Sequence, residues 1–448
     1  MSRLLELAQA VVADAGRRGA SAAECVVRAG RELSVQVRMG ATESIKQAEG
    51  NALGIRVFRG RRAGVTYSSD LSPDAAARML DAALAIAEAA SEDPFAGLPE
   101  PELLGRAHPD LELYSPAAAA VTPDQALDWA LRAERAALDC DPRLSNSDGA
   151  SVEAGETTKA LANSHGFAGE VRRSSCSLSV VPIAVENGSR QRDYWYTLGR
   201  EPDLLEAPEA VGRIAAQRTL RRLGARKMPT ARVPVVFDPQ AARSLLGHVL
   251  EAVSGEAVYR EASFLAGQLG TVVAAPSFTL VDDGLRPGGF GSSPFDAEGV
   301  PTRTTAVISH GRLDSYLLNT YAARKLSLTT TGNAARPLAG APSVSCGNLT
   351  LLPGSASPQQ ILGGISQGLY VTELIGFGVN AVTGDYSRGA CGLWIENGAL
   401  AFPVEEITIA GNLRDMLKNI AAVGNDLPNR GAVNAPTVLI EGMTVAGS

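Results

Sequence analysis

Two spacings of apolar residues alternate along the chain. Leu4, Leu5, Ala8, Val11, Val12 and Ala15 recur at helical spacing among polar residues, which predicts an amphipathic opening helix. In "RELSVQVRMG" the period drops to two, with Leu33, Val35 and Val37 on one face of a half-buried strand. "NALGIRVFRGRRAGVTYSSD" reads as a hairpin around a Gly- and Arg-rich turn. "SPDAAARMLDAALAIAEAA" reads as a helix with Ser72 as N-cap and Pro73 in the first helical position. These elements form an α+β unit over residues 1–90.

Residues 91–122 hold five prolines and no period, and are expected to be a connector or an extended arm on the surface. A helix from Thr122-Pro123 to about Asp139 follows. An antiparallel sheet is expected over 143–200, with turns at "SNSDGAS", "NSHGF" and "ENGSR", and then a helix over roughly 205–224. Together 123–226 forms a helix-plus-sheet region packed with the N-terminal unit. Strand Val233–Phe237 runs into a helix capped by Asp238 and opened by Pro239, with Gly255 suited to its C-terminal cap. Beyond about 270 come short strands and Gly-rich loops, with one amphipathic helix at "NLRDMLKNIAAVG". Residues 227–448 are therefore a β-rich domain. The fold class is α+β, a mixed sheet-and-helix region followed by a mostly antiparallel β domain.

A length of 448 residues suits two or three domains, and 45% hydrophobic with 20% charged residues suits a globular chain. The opening helix carries Glu6 and Asp14, unlike a secretory segment, and no apolar run approaches the roughly 20 residues of a membrane span. Five scattered cysteines without a CxxC suggest neither disulfides nor a zinc knuckle. A cytoplasmic, reduced protein without membrane contact is expected. The net charge of −7 argues against nucleic acid as a partner, and the basic runs "RGRRAG" and "RTLRRLGARK" read as a hairpin turn and a helix C-terminus.

Candidate chemistry centres on "LLGHVLEAVSGEAVYR", residues 245–260. Leu245, Leu246, Val249, Leu250 and Val253 make an apolar stripe, and His248 and Glu251 lie beside each other off it. They could pair with each other or face a cleft. A helical zinc site needs two histidines on one face plus a carboxylate base, and this helix has one. His108, His165 and His310 sit in the connector and in turns, and a distant site completed by Cys346 or Cys391 has no sequence support. Neither cysteine sits in a nucleophile motif, and no G-x-S-x-G occurs. "GLRPGGFGSSPFD", with Gly288, Gly289 and Gly291, lacks a P-loop's GK[ST]. It suits a flexible segment near a peptide cleft or an ordinary long turn.

"TGDYSRGACGLWIENGALAFPVEEITIAGNLRDMLKNIAAVGNDL" (383–427) resembles the C-terminal region of the TldD/PmbA family. "SLLGHVLEAVSGEAVYREASFLAGQLG", "DDGLRPGGFGSSPFDAEGVPTRTT" and "SNSDGASVEAGETTKALANSHGF" are similar to the same family, in its PmbA (TldE) branch. The resemblance covers most of the chain and is weakest over the first hundred residues. It implies one subunit of a cytoplasmic two-subunit zinc protease acting on unfolded or small peptides. In that family the TldD branch carries an H-E-x-x-x-H helix. Aligned from the shared "LL", Gly247 stands at the first His, His248 at the Glu and Ala252 at the second His.

The resemblance therefore implies a chain with no catalytic residue, metal ligand or cofactor of its own, which would shape the substrate cavity. Zinc is expected in a TldD-like partner, and a homodimer is an option without one. The competing expectations are an autonomous metallo- or thiol-dependent peptidase and a regulatory binding protein of the gyrase-modulator type.

Overall fold

The computed structural model describes residues 2–105, 109–337 and 340–447, so His108 lies outside the described residues. The fold is α+β. Helix α1 (Arg3–Arg17) is capped by the Ser2 hydroxyl, which accepts from the Leu5 N–H. Strands β1 (Ala22–Arg38), β2 (Ala41–Arg59) and β3 (Arg62–Ser68) follow, then α2 (Pro73–Ala89) with Ser72 as N-cap. After the short α3 (Pro116–Ala119) come α4 (Pro123–Leu138), β4 (Asn146–Asn163), β5 (Ala168–Glu186), β6 (Ser189–Arg192), β7 (Trp195–Gly199) and α5 (Pro208–Leu220).

The strands form one antiparallel sheet in the order β3-β2-β1-β4-β5-β6, with β7 also on β5. The pairing of β1 with β4, Cys25 opposite Ala162 through Val35 opposite Val152, fuses the first hundred residues to the second. Alternation then sorts the side chains. Cys25, Val27, Leu33, Val35 and Val37 share one face, where α1 and α2 cover one end and α4 and α5 the other. Gly64 lets α2 approach closely, because a Cβ there would stand 2.0 Å from the Ala83 carbonyl oxygen. The opposite face carries Val26, Arg28, Leu161, Lys159, Val171 and Arg173 toward the C-terminal domain.

In that domain five strands close on themselves. β8 (Ala231–Phe237) pairs with Gln367–Ile375, which pairs with Asp385–Glu396, then Ala399–Asn412, then Val438–Ala446, which returns to β8. Only the contact of β8 with Gln367–Ile375 is parallel among these, and the closure leaves few exposed edges. A five-stranded sheet centred on Leu280–Asp283 lies beside this ring, and α6 (Pro239–Val253) joins their shared core.

Several expectations change. The proline-rich stretch is no surface arm: Leu98, Leu111 and Leu113 are buried, and it straps the two halves together. The Gly288 N–H donates to the Leu111 carbonyl (2.7 Å), and Arg324 Nη2 donates to Leu98 O and Glu100 Oε1 (both 2.6 Å). "SNSDGAS" is not a turn but the start of β4, irregular at Ser147/Gly149, where Gly149 takes φ +111° against the Val37 carbonyl. The helix placed at 205–224 is the shorter α5. The expected amphipathic helix after residue 412 is six residues, Leu413–Lys418, and Ile420–Val423 returns to a strand. Helices Thr320–Leu326 and Pro358–Gly363 were masked in the sequence by their brevity.

Gly255 is not a left-handed cap. It begins the next helix, Gly255–Tyr259, and its missing side chain admits Leu318, whose Cδ2 would lie 2.3 Å from a Cβ.

Candidate functional site

Helix α6 starts where the sequence places it. Asp238 follows β8, and its carboxylate accepts from the Ala241 N–H at 2.8 Å. Burial pushes the Asp238 carboxyl up to about 6 despite that bond and the nearby Arg218 and Arg221. Leu245, Leu246, Val249 and Val253 are buried, and Leu250 partly so. The polar side of α6 faces the seven-stranded sheet across a cavity of about 380 Å³, lined by Asp193, Tyr194, Gln240, Ser244, Glu373 and Arg388. A second groove runs past Tyr196, Arg243 and Arg430.

His248 and Glu251 do not pair. His248 lies edge-on to Tyr386, with ring centroids 6.0 Å apart and planes at 80°, and its buried Nε2 has no hydrogen-bond partner among the described residues. Burial, then the positive charge of Arg388, hold its pKa below the ordinary imidazole value. Glu251 and Gly247 are exposed, and nothing stands within 4 Å of where a Gly247 side chain would begin. Ala252 is 0% exposed, deep in the core, and its carbonyl accepts from the Ser263 hydroxyl at 2.6 Å.

These residues do not fit a catalytic zinc. The metal needs two imidazoles and a carboxylate converging from one face. Here one position has no side chain, one has a methyl group turned into the core, and the imidazole between them leans on an aromatic ring. Elsewhere, His165 Nδ1 contacts the Pro99 carbonyl oxygen at 2.7 Å, and His310 occupies a turn at φ 46°. Among the described residues, no three His, Cys, Asp or Glu side chains converge as a ligand set.

The thiols are equally unprepared. Burial pushes Cys346 up to about 12 and raises Cys391, so neither is a ready thiolate at neutral pH.

The Gly288–Gly291 loop is held rather than free. Arg200 Nε and Nη2 donate to the Gly288 and Gly289 carbonyls at 3.1 and 2.7 Å, while its guanidinium stacks on Phe290 at 4.4 Å. At Gly291 a Cβ would meet the Gly347 carbonyl at 1.9 Å, so the glycine permits two backbones to touch. The loop clamps the domains together.

The residues that surround α6 were harder to read from local pattern. Arg388 Nη1 donates to Ser244 Oγ at 2.6 Å, and Arg243 Nη1 donates to the Tyr196 hydroxyl at 3.0 Å. Tyr194 and Tyr196 stack at 6.2 Å. Two tyrosines at a spacing of two, Tyr194 just before β7 and Tyr196 within it, are the one local signal for this wall. Arg388 and Arg430 come from remote strands and loops. Beside them, on the turn after Gln367–Ile375, Phe377 is 99% exposed, and Ile375 and Val382 are half exposed.

A capped helix without a converging set of metal donors lies in a cleft between the long sheet and the closed β domain. Comparison gives the family. Residues 23–87 match the PmbA/TldA metallopeptidase domain 1, 116–223 the central domain and 230–447 the C-terminal domain. The chain belongs to the PmbA/TldD metallopeptidase family. It is 42% identical over 445 residues to metalloprotease PmbA of Escherichia coli, covering 99% of this chain and 96% of the relative. The PmbA homolog of Haemophilus influenzae is 39% identical, with the same coverage.

Among solved structures, a candidate DNA gyrase modulator from Bacteroides thetaiotaomicron superposes with a TM-score of 0.92 at 27% identity, covering 99% of this chain and 98% of that one. TldE from Thermococcus kodakarensis gives 0.90 at 21% identity, covering 98% and 100%, and speaks for the fold. No helix among the described residues is long and apolar enough to cross a membrane.

Proposed function

We propose that this chain is the non-catalytic subunit of a two-subunit zinc peptidase, shaping a cavity in which a TldD-like partner cleaves unfolded or small peptides. The observation that carries this reading is α6. It keeps its cap, its apolar stripe and its place in the cleft, yet offers Gly247, a ring-packed His248 and Ala252 where metal donors are needed. A zinc held by the partner would lower the pKa of its bound water and polarise the peptide carbonyl. This chain would contribute the cleft wall of Tyr194, Tyr196, Arg243 and Arg388. The exposed Ile375, Phe377 and Val382 offer an apolar contact for the partner. The setting is the cytoplasm.

Metal analysis of the chain purified alone tests the reading. Essentially no zinc is expected, with peptide cleavage arising only after a TldD-type subunit is added. Close to one zinc per chain, retained after dialysis, would overturn it in favour of an autonomous metallopeptidase.

A regulatory role is the second reading, since the Bacteroides thetaiotaomicron and Thermotoga maritima structures are described as candidate gyrase modulators. It predicts retention of this chain on immobilised gyrase without DNA.

A further inference from the structure

Under the sheet, on the face away from the helices, lies a cavity of about 590 Å³. It shares Lys159, Arg173 and Arg336 with a neighbouring cavity of about 280 Å³. Strand pairing builds the floor. Lys159 on β4 stands opposite Arg28 on β1, and Arg173 on β5 stands opposite Thr157 on β4. Arg336 closes the cavity from the C-terminal domain.

The cations here outnumber the carboxylates available to them. The backbone of Lys159 is held in the sheet, but its ammonium makes no hydrogen bond or ion pair among the described residues. Arg173 donates from Nη2 to the Ser292 carbonyl at 2.8 Å, and its buried Nε has no partner. Arg336 shares Glu24 with Arg56, at 2.7 and 2.5 Å, and keeps a buried Nη2 without a hydrogen bond.

The acids nearby are committed elsewhere, apart from Asp282 on the smaller cavity, whose carboxyl accepts from Asn333 Nδ2, keeps a buried Oδ1 without a partner and has its pKa raised by burial. Glu156 is held by Arg31 and Arg172, and Glu32 and Glu153 are exposed at the mouth. Asp296 accepts from the Glu298, Val300 and Ala334 amides, and burial beside Glu298 pushes its carboxyl up to about 8. Arg200 is spent on three carbonyls and serves the interdomain clamp.

Unpaired cations out of full contact with water are costly, and the cost falls when an anion of matching shape enters. Two guanidiniums and an ammonium around one space suit an oxyanion, since the planar forks bond in pairs and the ammonium adds a point charge. We propose that this cavity is a binding site for a compact oxyanion, a carboxylate or phosphate group seated among Lys159, Arg173 and Arg336. The site is separate from the α6 cleft and does not rest on the peptidase reading. A short peptide's terminal carboxylate and free phosphate share this chemistry.

Calorimetric titration of the full chain at pH 7 in low chloride separates the sources. The probes are inorganic phosphate, tetra-alanine with a free carboxylate, and tetra-alanine amide. Binding of phosphate alone assigns free phosphate, and binding of the acid but not the amide assigns a peptide carboxylate. In either case Lys159→Met should weaken the probe about tenfold or more, and Arg28→Gln at the exposed rim about threefold. Lys159→Met should also melt higher than wild type in phosphate-free buffer, because an unpaired cation is gone. If Lys159→Met fails to fold, Arg28→Gln carries the test. No binding of phosphate or the acid overturns the proposal, as does equal binding of acid and amide without phosphate binding, or unaltered binding by the variants.

Discussion

The two faces of the seven-stranded sheet are made by the same strands and could hardly differ more. One face is apolar and filled: alternate residues of β1, β2, β4 and β5 lock against four helices, and Gly64 lets α2 touch the backbone. The other carries a small apolar cluster of Val26, Leu161 and Val171 under the proline-rich strap and, beside it, a charged hollow with Lys159 and Arg173 inside and Arg28 at the exposed rim. Period-two alternation makes the two faces independent, so one can be given to stability while the other holds charge.

The largest expected effect falls on the charged face. Glu24 is the carboxylate between Arg56 and Arg336, so Glu24→Gln leaves two guanidiniums uncompensated and should cost about 3–5 kcal/mol in urea denaturation. Next comes the filled face. Ile55 is 0% exposed, and Ile55→Ala should cost about 2–5 kcal/mol, with loss of cooperativity first in the α1–α2 end. A smaller cost for Glu24→Gln than for Ile55→Ala would mean that water reaches the charged face freely.

A smaller effect distinguishes the faces by pH. Burial, then the charges of Arg173 and Arg336, lower Lys159 from 10.5 to about 8, against opposing pulls from Asp296 and Glu24. Between about pH 8 and 10.5 the unfolded chain keeps a proton that the folded protein has released, so this group's destabilisation is full below 8 and fades as pH rises. The melting-temperature advantage of Lys159→Met over wild type should therefore shrink across that window. An advantage independent of pH would remove the unpaired-ammonium interpretation.

The smallest effect concerns α6. The folded-state pKa of His248 lies below its free value, so the unfolded chain takes up a proton first as pH falls below 6.5. Wild type should lose stability there relative to His248→Leu, and the imidazole resonances should titrate below 6.5 by NMR.

Much of the scaffold was legible locally. The helix at 73–89, the strand-to-helix step at Asp238-Pro239 and the hairpin at Arg59–Arg62 follow from caps, prolines and period. That Gly247, His248 and Ala252 occupy the aligned positions of α6 was also readable, because it rests on residue identity within one helix. The strap was not, since its leucines follow no period and are buried only by partners that arrive later in the chain. The charged cavity was equally hidden, because no local pattern sets Lys159 and Arg173 apart from ordinary solvated strand residues. The isolation of His248 from Glu251 was hidden too, since Tyr386 and Arg388 lie more than a hundred residues away.

By itself, then, the sequence determined the longer elements, the N-caps at Ser72 and Asp238, the α+β class and the family. Each of these depends on residues a few positions apart, or on long ordered similarity. The tertiary structure alone decided that the first and second regions share one sheet, which side of it would be charged, and which histidine would lean on which ring. Those outcomes depend on burial and on charges meeting across the fold, and neither has a fixed spacing along the chain.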